Sequence, residues 1–456
     1  MSRGSTFRGV GLLVAWAAQA AVAAPLSLRG YLDQVAQKNK AVVGLRLASD
    51  GQGASAVATD LTFGPQLYSK AEYVNDPRTS QVPAIEGDRK VHLSFEAGVR
   101  QQTSFGLQYQ VALEVNRSRL FGIDPSLVTR PDLTSVYLIP QFQFSLWQNW
   151  LGGMDRASQA SDQAKARASS LGDAYQAKGV LVDAEGRYWK LAVLREVLRV
   201  ERESVDRAQE LLEAAQRKAR KHLGDEADVL TAEAAVKGKA LELAGMEDEA
   251  LTAARAFNTA RGIVSDQVSE ALPLPDAQAL LAYRPPAKGA RRGDVEAALA
   301  GTVAAKEGFE LARQKLLPSL NLYGSIYAVG LNFTLPLDFG TVKEATQGYA
   351  RQAYAAQLQL EQKELEARSD WEDQTAKLAR AQKRLSLAID LERVQKAKLE
   401  LVRKRRATGL TVQAQVIQFQ LEYFQAVLAR VHAEGDVLGA RTQLSLFEAQ
   451  GPEGGG

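Results

Sequence analysis

The chain has no cysteine and only three histidines among its 456 residues. Disulfides, thiol chemistry and a cysteine-borne lipid are therefore excluded, and a transition-metal centre has few ligands to draw on. Beyond the first 25 residues no apolar run reaches 18 positions. A transmembrane helix is not expected there, and only a β-barrel would carry such a chain through a bilayer. Neither sign of charge prevails. Lys and Arg number 56 against 53 Asp and Glu, and two of the basic residues, Arg3 and Arg8, sit in the leading segment. Nothing in that balance asks for nucleic acid. Phosphate loops and nucleophile elbows are missing as motifs. The acidic residues are scattered along polar helix faces, so an enzyme built on a helical bundle has no convergent set. No cofactor or metal is expected.

What is present begins with a processing signal. Arg3 and Arg8 precede an apolar stretch from Val10 to Ala24, and Ala21-Val22-Ala23 offers a small-residue cleavage site. Residues 1–24 thus resemble a secretory signal peptide. The alternative, a membrane anchor, is disfavoured because the stretch is short of the ~20 residues a spanning helix needs.

From Pro65 the chain turns extended. Val91, Leu93, Phe95, Ala97 and Val99 alternate with polar or small neighbours, as do Leu107, Tyr109, Val111, Leu113 and Val115. Phe142, Phe144 and Leu146 follow the same period of two, with Trp147 and Trp150 just beyond. Such runs predict strands with two unlike faces, in a barrel wall or in a soluble sheet with one wet face. The two tryptophans are candidates for a membrane-interface belt, or for packing where strands meet helix.

Proline then disappears. None occurs between Asp155 and Lys221, nor between Thr341 and Arg406, and Ala, Glu, Lys, Arg, Gln and Leu fill both runs. A helix of that length is roughly 100 Å long at 1.5 Å per residue, far beyond a globular helix. Each run is followed by a break near a glycine, Gly224 or Gly409, and by a second helix. The chain therefore divides into a first repeat, 25–285, with strands at about 66–147 and a helical hairpin at about 155–265. A second repeat, 286–448, has strands at about 319–338 and a hairpin at about 341–447, and residues 449–456 form a disordered tail. A single helix is expected over 26–60. Sparse Leu among Ala favours helices with neighbours on both sides, as in the wall of a tube, without excluding a simpler bundle.

Three places carry a family resemblance. Tyr283-Arg284-Pro285, Asp294-Val295-Glu296-Ala297-Ala298 and Leu311-Ala312-Arg313 lead to Leu317-Pro318-Ser319-Leu320. Leu331-Asn332-Phe333-Thr334-Leu335-Pro336-Leu337 then precedes Phe339-Gly340, and Gly409 precedes a helix bearing Val416, Ile417, Phe419 and Phe424. In that order these resemble the TolC-like family of outer-membrane efflux proteins. Departures fall at the hairpin ends, where position 415 is Gln rather than Asp and Asp228 follows Gly224 by only four residues.

The resemblance implies a mixed α/β membrane protein. A long α-helical barrel joins a transmembrane β-barrel shared by a homotrimer, each subunit giving two strand pairs. It implies a passive trans-periplasmic conduit in the outer membrane, touching outer-membrane lipid. Its implied partners are a periplasmic adaptor (membrane fusion) protein and an inner-membrane pump or ABC transporter, in a tripartite efflux pump or type I secretion system. A periplasmic coiled-coil scaffold or adaptor without a pore is the rival reading. By resemblance, Gly224, Asp225, Glu226, Asp228, Lys404, Arg405, Arg406 and Gly409 mark the periplasmic entrance and adaptor-contacting tip. Their charges either help close that entrance or are solvated helix ends.

Overall fold

A computed structural model describes residues 25–78, 81–221, 225–287, 291–408 and 412–448. The expected signal segment 1–24, the tail 449–456 and two of the tip candidates, Gly224 and Gly409, lie outside the described residues.

The described elements run in the order α1 (Leu28–Lys38), α2 (Lys40–Ala58), β1 (Gln66–Asp76), α3 (Pro83–Glu86), β2 (Arg89–Gln102), β3 (Leu107–Phe121), β4 (Asp132–Ser145), α4 (Gly153–Arg220), α5 (Glu226–Ala260), α6 (Ala277–Ala282), α7 (Gly293–Lys315), β5 (Ser319–Ser325), β6 (Val329–Thr334), α8 (Phe339–Ala407) and α9 (Gln413–Leu444). Helices α4 and α8 are 68 and 69 residues long. Straight-chain helix formers and the absence of proline permit that length. No described helix is long and apolar enough to cross a membrane.

Three expectations are corrected. The helix expected over 26–60 is two helices, because Asn39 leaves helical geometry and its side chain accepts the amides of Ala41 and Val42 as an N-cap. The helix expected to reach 265 ends at Ala260, since Gly262 takes a φ of +76° and the Asn258 carbonyl receives the Ile263 amide. The last strand stops at Thr334 instead of 338, as Pro336 has no N–H for a ladder. The sheet holds six strands, four of them before α4 and two after α7.

The chain divides into two compact units. A sheet unit comprises Ala36–Asp183, Ala282–Arg384 and the residues from Asp436 onward. A helical unit comprises the residues up to Val35, Ala184–Leu281 and Leu385–Gly435.

In the sheet unit all six strands form one antiparallel sheet in sequence order. The start of α7 is fixed by buried Arg292, which grips Asp294 through two hydrogen bonds and Asp370 through a third. Its guanidinium also lies over the rings of Tyr175 and Phe447.

In the helical unit Val197 and Val200 of α4 pack against Phe424, Val427 and Val431 of α9, with Met246 of α5 closing the cluster. Leu399 and Val402 of α8 meet Val416 of α9 in a second cluster. At the start of the chain Tyr31 stacks on Phe257 at 4.2 Å, and its hydroxyl donates to the Phe257 carbonyl. Beside it Arg261 donates to buried Asn258 and to Glu270, so α5 ends on a satisfied polar knot instead of on bare carbonyls.

Candidate functional site

The cross-strand register sorts the sheet into two faces. One row runs Leu67, Val99, Val111, Pro140, and the next on the same face runs Ser69, Ala97, Leu113, Leu138. Ala71, Phe95, Val115 and Val136 form a third. This face is apolar and bare: Leu67 is 84% exposed, Leu138 61% and Val136 59%. A patch of that extent on one chain marks a surface that something apolar covers. It ends where Arg117 and Arg119 of β3 emerge on the same side, with Arg117 paired to Asp132 at 2.8 Å.

The opposite face is polar. Lys70, Glu96, Glu114 and Tyr137 share one row, and Gln66, Arg100, Gln110 and Gln141 another. Several of its groups bond to one another. Tyr68 donates to Glu96, Lys70 pairs with Glu72 at 2.7 Å, and Gln110 donates to Gln141 at 3.0 Å. Gly98 stands in this face because a Cβ there would lie 2.5 Å from the Val111 carbonyl oxygen and 2.8 Å from the Ala112 Cα.

The junction of sheet and helix is tightly built. Asn149 is buried, and its side-chain oxygen accepts the amides of Met154 and Asp155 while its amide donates to the Asp155 carboxylate. Leu151 and Gly152 both take left-handed φ values, +49° and +72°, to reverse the chain between β4 and α4. A Cβ on Gly152 would sit 2.1 Å from the Ser104 carbonyl oxygen, so the β2–β3 turn presses directly on that reversal. Arg156 reaches the same carbonyl as donor.

Trp147 and Trp150 belong to this junction, about half exposed each, and Trp150 meets Phe144 edge-on at 5.9 Å. The structure thus places both where strand gives way to helix. Asp225 is the N-cap of α5, its carboxylate accepting the Ala227 amide at 3.2 Å, and Glu226 and Asp228 lie in the first turn. Lys404, Arg405 and Arg406 form the last turn of α8. All six are exposed, and among the described residues no ion pair joins the acidic set to the basic one. Each set has the sign that complements its own helix dipole.

Sequence reasoning missed two features of this sheet. The upper half of β4, Asp132–Pro140, has apolar residues on both faces and a proline, so no clean period of two announces it. In β1, Ser69 and Ala71 dilute the apolar face in the same way.

Charge clusters of another kind lie in the helical unit. Arg430 donates to both Glu392 and Glu434, and burial pushes the Glu434 carboxyl above its usual range. Among the described residues no group of His, Cys, Asp and Glu is placed to hold a metal ion.

The chain thus combines an open antiparallel sheet, apolar on one face and polar on the other, with helices of 68 and 69 residues. Residues 288–447 match the family described as outer membrane efflux protein. The chain is similar in fold to the CmeC outer membrane channel of Campylobacter jejuni, with a TM-score of 0.66, 13% identity, and 92% of this chain and 85% of that one covered. It is similar to the outer membrane protein VceC of Vibrio cholerae, with a TM-score of 0.65, 13% identity, and 92% and 95% covered. It is also similar to the open state of the MtrE outer membrane channel of Neisseria gonorrhoeae, with a TM-score of 0.63, 16% identity, and 93% and 89% covered. No curated protein sequence matches the chain. The family match thus rests on residues 288–447, and the rest of the chain is joined to these channels by fold alone.

Proposed function

We propose that this chain is the outer-membrane subunit of a tripartite efflux or secretion assembly, acting as a homotrimer and as a passive conduit. The observation that carries it is the bare apolar face of a sheet whose edges are open. In lipid every strand edge must find a partner, so one chain with open edges cannot form the wall alone. The apolar face then meets lipid, and the face bearing Lys70, Glu96 and Glu114 lines the pore. The two helix pairs of nearly equal length, α4 with α5 and α8 with α9, support an internal duplication and form the periplasmic tunnel.

As a passive conduit it takes its energy from an inner-membrane pump or ABC transporter and its coupling from a periplasmic adaptor. The exposed ends at Asp225–Asp228 and Lys404–Arg406 are the surface offered to that adaptor. A pore-free periplasmic scaffold would have no use for the apolar sheet face.

Fractionation of expressing cells, followed by lysine-directed crosslinking and conductance in planar bilayers, tests this reading. The expected result is an outer-membrane, detergent-requiring trimer that conducts. A soluble periplasmic monomer without conductance would sink it.

A further inference from the structure

The strands are unequal in a way that bears on how the wall closes. β1 to β4 have 11, 14, 15 and 14 residues, whereas β5 and β6 have 7 and 6. A tilted strand needs ~9–11 residues to cross a bilayer. Only the four strands that precede α4 are long enough.

β5 also covers little of its neighbour. It pairs with Gln141–Ser145 alone, at the end of β4 that joins α4. The outer edge of β4 from Asp132 to Pro140 therefore carries no strand among the described residues, and neither does the outer edge of β1 from Gln66 to Asp76. The hairpin is not poised to grow along that edge. Its turn closes on itself, with Ser325 donating its amide to the Ala328 carbonyl and accepting the amides of Tyr327 and Ala328 on its hydroxyl. Tyr327 then packs edge-on against Tyr137, a residue of the polar face. The tip thus leans toward the polar side, away from the apolar one.

The two free edges suit each other. Each of the three pairings from β1 to β4 is antiparallel, so β1 and β4 run in opposite directions. Joining β4 of one copy to β1 of the next continues the same alternation, and three copies give a closed wall of twelve strands.

Resting on the trimeric channel proposed above, we infer that the membrane wall is built from β1 to β4 alone. In it Asp132–Pro140 of β4 receives β1 of a second copy, while the β5–β6 hairpin stops at the foot of that seam.

The absence of native cysteine makes the seam directly testable in the full-length protein in its membrane. Leu138→Cys is combined in turn with Leu67→Cys, Ser69→Cys, Ala71→Cys and Tyr73→Cys, all on the apolar face. Within one chain β1 and β4 are three strand spacings apart, about 14 Å at ~4.8 Å each, too far for a disulfide. Any bond formed therefore joins two copies.

On oxidation, one position or two adjacent same-face positions should give reducible dimer and trimer bands that the single-cysteine variants lack. Lysine-directed crosslinking of the same membranes separates the two ideas. A trimer whose β1 cysteines link to Leu331→Cys or Phe333→Cys of β6, and never to Leu138→Cys, overturns the seam. A chain that stays monomeric under lysine crosslinking overturns the trimeric reading and the seam with it.

Discussion

Arg261 is 6% exposed at its side chain, yet its guanidinium is fully used, by Asn258, by Gln34 and by Glu270 at 2.6 Å. The hydrogen bond from Arg261 holds the Glu270 carboxyl below its ordinary value, with burial acting against it. A carboxylate with a lowered folded pKa contributes stability that is complete above its unfolded value and is lost as pH falls through the folded one. For Glu270 the loss therefore begins as pH drops below about 4.5. Glu270→Gln keeps the shape, loses the charge and removes this dependence. Thermal unfolding followed in detergent at pH 7 and at about pH 3.5 should show a larger fall for the native chain than for the variant. Equal falls would mean that the pair contributes nothing to the helical unit. The knot is invisible in the sequence, because Gln34 lies 227 residues before Arg261, and Arg261 and Glu270 belong to no motif.

The elements differ in how plainly the sequence announces them. The runs at 91–99 and 107–115 alternate cleanly and lie within β2 and β3, because each strand has one apolar and one polar neighbour environment throughout. The two proline-free runs correspond to α4 and α8, where composition alone permits little else. What stays hidden is whatever tertiary pairing decides: the upper half of β4, the break at Asn39, and the reversal at Leu151–Gly152. The acidic trio was legible as a cluster, but its geometry was not. Asp225 turns out to cap α5, a role any Asn also fills. Asp225→Ala should destabilise the first turn of α5 by about 1 kcal/mol, read as faster amide exchange at Ala227, whereas Asp225→Asn should leave exchange unchanged. The conservative variant also isolates charge from structure. If Asp225→Asn alters conductance while exchange is unaffected, the charge acts at the entrance; if both are unaltered, the carboxylate serves the helix alone.

For the whole molecule, as the channel proposed above, the decisive assignment is which face of the sheet meets lipid. Leu113 and Glu114 are consecutive in β3, so their side chains point to opposite faces of one strand. Leu113 shares its row with Ala97 and Leu138, and Glu114 shares its row with Glu96 and Tyr137. Both lie near the middle of the strand, between the polar rim marked by Arg117 and Arg119 and the junction beside Trp150. Depth is thus matched and only the face differs. Placing Arg at position 113 puts a guanidinium in hydrocarbon, a change worth about 2–4 kcal/mol at the bilayer midplane. Leu113→Arg should therefore lower the yield of folded, heat-modifiable protein in outer membranes and reduce its resistance to urea. Glu114→Arg should fold at native yield, since the polar face already holds Lys70, paired with Glu72, and Arg100, which donates to Gln66. Its effect belongs to conduction: reversing a charge in each copy around the pore should shift the reversal potential in a salt gradient toward anions. The opposite pattern, with Glu114→Arg lost from the membrane and Leu113→Arg folding and altering selectivity, would turn the sheet inside out and remove the basis for a channel lined by its polar face.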